Sequence, residues 1–314
     1  MPRPGLRVTP RPGATCAAID IGSNTVKLLI AERRPEGWLA LVERSWRTRL
    51  GERIGGGRLS RRSVRRTLAV LEEAAALCRA AGALGPAAVA TSAVRDAANA
   101  DALIAPARRL GVEIQPIAGE EEARLSFEAV RRDALWRDEL GLLVVDIGGG
   151  STEVIWAMPA NDEPHRVSLA LGAVRLTEAA LHSDPPAAQE VARAEAMVAD
   201  TTRTLAGAPG LAAVGVGGTF VNMAGMAAEV PREEHATLHG AELAPGQVDQ
   251  QVRDLAAKTV AERERIVGLD PSRADIILGG ALIVRGLMRR LDLPRLAVSC
   301  RGLRWGVLYD RWGA

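Results

Sequence analysis

Two stretches of the chain share one pattern of apolar and polar positions, and they organise the remainder. In the second copy, four consecutive apolar residues, Leu142, Leu143, Val144 and Val145, lead to Asp146 and Ile147. Gly148, Gly149 and Gly150 follow, then Ser151, Thr152 and Glu153, then a second apolar run over 154–157. Short apolar runs bounded by glycine predict two buried strands joined by a tight turn. The first copy spans 16–30: an apolar strand ends in Asp20, a turn of Gly22, Ser23, Asn24 and Thr25 intervenes, and Val26 to Ile30 return as a strand around Lys27.

The periodicity elsewhere predicts alternating elements. A third strand is expected over 38–43. Residues 44–59 carry no clean period, and Gly55 to Gly57 mark a flexible connection. Ser60 is placed to cap a helix that Gly82 ends, with Val64, Leu68, Leu71, Ala75 and Cys78 as its apolar stripe and Arg61, Arg62, Arg65 and Arg66 on a solvated outer face. A strand over 87–91 leads into Ser92-Ala93-Val94-Arg95-Asp96 and another helix to about Leu110, and a strand over 112–117 comes next. A helix then opens at Gly119, Glu120, Glu121 and Glu122, burying Ala123, Phe127, Val130 and Ala134. After the second hairpin the pattern predicts a strand over 165–169 and helices over 172–181 and 186–205. A strand over 212–216 then enters a Gly217-Gly218-Thr219 turn and an Ala-rich helix. Helices over 245–257, 259–266 and 274–291, a strand over 295–299 and a terminal helix from Gly302 complete the chain. The two halves repeat the order hairpin, third strand, helices, which is the mark of an internal duplication. A meander followed by βα units predicts a mixed α/β layer architecture.

Composition narrows the function classes. At 314 residues the chain suits about two domains. Aromatics are only 3%, so Ala, Leu, Val and Ile must build the core. A net charge of +2 lacks the basic excess of a dedicated nucleic-acid binder. Nearly every base is Arg, with Lys27 and Lys258 the only lysines. Three dispersed cysteines suggest neither a disulfide framework nor a zinc site. No apolar run has the length of a membrane span. The first fifteen residues lack a signal-peptide apolar region and read as a mobile tail, so the cytoplasm is the expected compartment.

The glycine turns carry the chemistry. Without a Cβ, the backbone N–H groups of Gly148 to Gly150 allow close approach of an anion. Asp146 and Glu153 would repel a bare phosphate, and make sense holding a hard cation or positioning a water. Lys27 lies where an ammonium meets phosphate. The Gly217-Gly218-Thr219 turn reads equally as a third phosphate contact or as close packing of strand on helix. The acidic helix start at Glu120 to Glu122 suits the helix dipole, and a carboxylate there is also placed to take a proton from water.

Asp20-Ile21-Gly22-Ser23-Asn24-Thr25 and Asp146-Ile147-Gly148-Gly149-Gly150-Ser151-Thr152-Glu153 resemble the two phosphate motifs of the exopolyphosphatase / guanosine pentaphosphate phosphohydrolase family. Ala90-Thr91-Ser92-Ala93-Val94-Arg95, Gly119-Glu120-Glu121-Glu122-Ala123-Arg124-Leu125 and Gly217-Gly218-Thr219 match it in the same order. The resemblance implies two ribonuclease-H-like domains of the actin, sugar-kinase and chaperone-ATPase superfamily with an interdomain cleft. It puts the N-terminal domain at 16–125, joined by the C-terminal helix 301–314, and the second domain at 126–300. It implies Glu122 as catalytic base, and Asp146 and Glu153 as catalytic and magnesium-holding groups with Asp20 nearby. Substrate contacts follow at Gly22, Ser23, Asn24, Thr25, Lys27, Arg95, Gly148, Gly149, Gly150, Ser151, Gly217, Gly218, Thr219 and Arg304. Lys27 stands where many members have Arg, and Trp305 replaces an acid of the family's C-terminal pattern. The chain resembles the short, two-domain form. The expected activity is hydrolysis of the terminal phosphoanhydride of polyphosphate, dependent on magnesium or another divalent cation. The alternatives are guanosine pentaphosphate, a nucleotide of the bacterial stringent response, as substrate, or a non-catalytic regulator that binds guanosine polyphosphates. No membrane or nucleic-acid partner is expected, and a homodimer is allowed.

Overall fold

The structure, a computed structural model, describes residues 10–52, 54, 57–157, 163–207 and 210–313. Most of the expected tail and Gly55 and Gly56 of the expected flexible connection lie outside the described residues. The chain divides into two compact units, 1–132 with 303–314, and 133–302.

Unit 1 holds strands β1 (Thr15–Ile21), β2 (Thr25–Arg34), β3 (Gly37–Arg47), β4 (Leu84–Ala90) and β5 (Ile114–Pro116). Its helices are α1 (Arg61–Ala80), α2 (Ser92–Arg95), α3 (Asp101–Arg109) and α4 (Gly119–Arg131). Unit 2 contributes β6 (Leu142–Ile147), β7 (Thr152–Ala157), β8 (His165–Leu169), β9 (Ala212–Val216), β10 (Glu242–Leu243) and β11 (Leu296–Ser299). Its helices are α5 (Ala173–Ala180), α6 (Ala188–Thr202), α7 (Gly218–Ala228), α8 (Pro245–Ala256), α9 (Val260–Arg263) and α10 (Ile277–Arg290). The chain then returns to unit 1 as α11 (Leu303–Trp312).

The first sheet runs β3-β2-β1-β4-β5; the second, read from its other edge, runs β8-β7-β6-β9-β11 with β10 added. In both, an antiparallel meander adjoins parallel strands, the same order twice. This is the duplicated ribonuclease-H-like α/β fold that the motifs imply. The apolar run of β1 is continuous because both its faces are covered. Ala17, Ile19 and Ile21 pack with Leu71, Cys78 and Leu103 of α1 and α3. Cys16 and Ala18 face the other way, toward Leu125 and Ala129 of α4 and Trp305, Leu308 and Trp312 of α11. Alternation with a period of two thus assigns one strand to two cores. In unit 2, Leu143, Val145 and Ile147 of β6 join a single core with α5, α6, α7, α8 and α10.

Local signals account for most boundaries. Ser60 caps α1 by accepting from Ser63 N–H at 3.0 Å, and Gly82 takes the left-handed conformation (φ +61°) just beyond it. Four expectations need correction. The third strand continues to Arg47 rather than ending at Glu43, because it pairs with β2 along its whole length. The stretch from Ser92 to the helix end expected near Leu110 holds two helices, α2 and α3, separated by a turn segment at 96–100. Helix α4 stops at Arg131, so Ala134 is exposed rather than buried. The helix expected over 259–266 is the single turn α9.

Helix α11 approaches α4 without room for a side chain. A Cβ at Gly306 would sit 1.9 Å from the Leu125 carbonyl oxygen, and the atoms in its way are backbone. Gly306→Ala is therefore expected to destabilise the fold by about 1–3 kcal/mol through overpacking, read as a lower midpoint in urea unfolding. An unchanged midpoint would show that α4 and α11 are not in this contact.

Candidate active site

In each sheet the carboxyl ends of the parallel strands lie side by side, the edge at which open α/β sheets place ligands. In unit 1, Ile21 of β1 is level with Ala90 of β4, and Ala90 with Pro116 of β5. The β1–β2 turn, the start of α2 and the start of α4 therefore share one edge. In unit 2, Asp146 of β6 is level with Val216 of β9, and Val216 with Ser299 of β11.

The two turns are built alike. Gly22 N–H donates to Thr25 C=O at 3.0 Å, and Gly148 N–H to Ser151 C=O at 3.0 Å. Each glycine sits tight against that acceptor: an added Cβ would lie 3.1 Å from Thr25 O at Gly22 and 3.3 Å from Ser151 O at Gly148. Ser23, Asn24, Thr25 and Ser151 are buried, while Gly148, Gly149 and Gly150 remain partly open.

Charge distinguishes the copies. Asp20 lies opposite Lys27 in the β1–β2 ladder, with Nζ 3.5 Å from Oδ2. The same slot in the β6–β7 ladder sets Asp146 opposite Glu153. Opposite residues of an antiparallel pair project on one face with their Cβ atoms about 5 Å apart. Lys27 thus faces an acid, and two acids face each other in unit 2. Glu153 is fully buried, and its Oε1 accepts from Ser168 Oγ at 2.8 Å. Two hard oxygen donors fit magnesium, which takes one or two carboxylates and fills its octahedron with waters and substrate oxygens. Among the described residues no group of three His, Cys, Asp or Glu converges, so no all-protein cage forms there.

The acidic start of α4 separates into three environments. Glu120 is exposed. Glu121 holds Arg124 through two contacts of 2.7 and 2.8 Å, and Arg124 also reaches Asp310 of α11 at 2.8 Å. Those hydrogen bonds hold the Arg124 guanidinium protonated even more firmly than usual, against the opposing effect of burial. Glu122 is buried, and its Oε2 lies 3.7 Å from Arg95 Nη1. Arg95 also donates to Ile117 C=O at 3.3 Å and to Asp96 at 3.1 Å. Ser92, at the start of the same short helix, meets Ser23 of the first turn, Oγ to Oγ at 2.9 Å.

The glycine turn of unit 2 is held from behind. Its carbonyls accept the first amides of α5: Ala173 N–H to Gly148 O at 3.0 Å, Val174 to Gly149 O at 2.9 Å and Arg175 to Gly149 O at 3.0 Å. Gly172 makes this approach possible, since a Cβ there would fall 2.5 Å from the Gly149 carbonyl. At the third turn, Gly217 has φ +102°, a conformation that favours glycine, and a Cβ on it would lie 3.0 Å from Asp146 Oδ1. Thr219 is buried, and its side chain faces Gly280 of α10, where a Cβ would come within 2.6 Å of it. Arg304 is engaged within unit 1, 3.2 Å from Glu43 and donating to Leu28 C=O at 3.3 Å. Trp305, at the position of the family's acid, donates its indole N–H to the same Glu43 at 3.2 Å.

One residue absent from the sequence reading lies on this edge. The guanidinium of Arg273 covers the Gly217–Gly218 turn, occupying the space that a Cβ on Gly218 would need. Burial depresses its basicity, with Asp270 and Asp275 opposing that effect. It follows a Pro-Ser turn with no periodic signal, and its target is a glycine backbone far earlier in the chain, so the sequence carried no cue for it. Among the described residues, no helix is long and apolar enough to cross a membrane.

Gly172→Ala should push the α5 start off the glycine turn. The expected cost is about 1–3 kcal/mol, seen as a lower unfolding temperature by calorimetry; an unshifted transition would mean the turn yields freely.

The sequence matches the model of the Ppx/GppA phosphatase family over residues 29–313. Exopolyphosphatase 1 of Mycobacterium tuberculosis (strain ATCC 25618 / H37Rv) is 33% identical over 300 residues, covering 92% of this chain and 86% of the relative. Exopolyphosphatase 2 of the same strain is 35% identical over 307 residues, covering 90% and 94%. Among solved structures, the Aquifex aeolicus Ppx/GppA family member superposes with a TM-score of 0.78 at 31% identity, covering 94% of this chain and 96% of that one. An exopolyphosphatase-like protein superposes with a TM-score of 0.87 at 29% identity, covering 95% and 97%.

Proposed function

The chain belongs to the Ppx/GppA phosphatase family and is a hydrolase of phosphoanhydride bonds, and we propose that its substrate is inorganic polyphosphate, from which it releases terminal orthophosphate. The observation that carries the reading is the buried Glu122 beside Arg95 at a strand-end edge shared with the first glycine turn.

From unit 1 we assign Glu122 as the group that orients the attacking water and takes its proton. Arg95 supplies a guanidinium to the phosphate under attack and holds the Glu122 carboxylate in place. The amides of the Gly22–Thr25 turn, with Lys27, neutralise phosphate charge, and we assign Asp20 as the partner of Lys27. From unit 2 we assign the amides of Gly148 to Ser151 to phosphate oxygens, and Asp146 and Glu153 to magnesium. When bound, that ion supplies positive charge against the leaving phosphate. Gly217, Gly218 and Arg273 shape the edge beside Asp146. Arg304 serves through its hold on Glu43, and Thr219 through packing on α10. Transfer of a phosphoryl group in this way depends on positioning and on charge stabilisation rather than covalent chemistry.

The reading is tested by phosphate release from long-chain polyphosphate and from guanosine pentaphosphate, in parallel, with and without magnesium. Faster release from polyphosphate that needs the metal is expected. Preference for the nucleotide would reassign the substrate, and nucleotide binding without release from either compound would point to a regulator. Glu122→Gln should lower kcat by about 10²–10⁴-fold, the usual contribution of a general base. Turnover near that of the unaltered enzyme would remove Glu122 from the role.

A further inference from the structure

We infer that Arg66, on α1 and remote in sequence from every phosphate motif, is the positioning residue that aims the amides of the first phosphate turn. The inference rests on the assignment of that turn to phosphate.

The chain after β3 wraps beneath the turn. Thr48 N–H and Arg49 N–H both donate to Asn24 C=O, at 3.0 and 2.9 Å, and Gly51 N–H donates to Ser23 C=O at 2.7 Å. A trans peptide points its C=O and N–H in opposite directions. Drawing the Ser23 and Asn24 carbonyls down into this segment therefore turns the following N–H groups, of Asn24 and Thr25, to the opposite side. That side is the one an anion must approach. Gly51 is needed for the close fit, since a Cβ on it would lie 3.0 Å from Ser23 Cβ and 3.4 Å from Ser23 O.

The segment closes on itself in part, with Glu52 N–H donating to Arg49 C=O at 3.2 Å. Arg49 has φ +47°, a left-handed backbone that a side chain other than glycine adopts at a cost. Arg66 stabilises it from α1. Its Nε donates to Thr48 C=O at 2.9 Å, and its Nη2 to Arg49 C=O at 3.3 Å and to Glu52 Oε2 at 3.1 Å. One planar guanidinium thus holds both carbonyls of the strained bend and the carboxylate that follows. This also corrects the sequence expectation: Arg61, Arg62 and Arg65 are exposed as expected, but Arg66 leans back onto the bend and is only partly exposed. A lysine has one donor centre and cannot reach three acceptors spread in this way.

The test measures Arg66→Lys and Gly51→Ala beside Arg65→Lys, an exposed control on the same helix. Arg66→Lys should raise KM for polyphosphate roughly tenfold, the size of one charge-assisted hydrogen bond, while kcat changes far less. Amide exchange in the substrate-free protein should quicken over residues 22–25 and 48–51 and stay unchanged over the rest of α1. Gly51→Ala should move both readouts in the same direction, and Arg65→Lys neither. Unchanged exchange over 22–25 in Arg66→Lys overturns the inference, as does exchange that quickens throughout unit 1, which marks a merely structural role. If the unaltered enzyme releases no phosphate, the functional reading fails by itself, and the exchange measurement still decides the part played by Arg66.

Discussion

A hydrogen bond from the first glycine of a four-residue turn to the carbonyl three positions on constrains everything else in both halves of this molecule. It closes the hairpin so tightly that the incoming strand brings its aspartate level with the last residue of β9 in unit 2 and with the last but one of β4 in unit 1. It also creates a demand, because the remaining carbonyls of so sharp a bend need donors if its amides are to stay turned toward an anion. The halves answer differently. Unit 1 uses the amides of the bend after β3, and unit 2 uses the opening amides of α5. Both solutions need a glycine where the supporting backbone comes closest, Gly51 in one and Gly172 in the other.

The duplication is one of backbone and not of charge. One register slot holds Lys27 in the first hairpin and Glu153 in the second, each opposite the strand-end aspartate. A paired Asp and Lys can meet phosphate directly through the ammonium. Two carboxylates on one face suit a cation instead. The charge facing the strand-end aspartate is thus reversed between the two hairpins, while the hydrogen bond that closes each turn is the same.

The hairpins, the helix caps and the acidic start of α4 were legible in the sequence because their causes are local: apolar runs, glycines at the bends, Ser60 ahead of an apolar stripe. The separate fates of Glu120, Glu121 and Glu122 were not. They depend on Asp310 and Arg95, which the fold brings to α4 from distant segments, with Arg124 of the same helix bridging Glu121 to Asp310. Arg66 and Arg273 escaped for the same reason, since each acts on backbone far away in the chain and leaves no periodic trace. Ala134 shows the opposite failure: its spacing fits the apolar stripe of α4, but the helix ends three residues earlier, at Arg131.

The return of α11 to unit 1 gives the two units different histories during synthesis. Unit 2 is one uninterrupted stretch, 133–302, and its core is complete once that stretch has left the ribosome. Unit 1 waits longer. Leu125 and Ala129 of α4 and the outer face of β1 stay uncovered until Trp305, Leu308 and Trp312 arrive. For that interval an apolar surface made early waits for its final partner, which makes the first-made half the later one to mature.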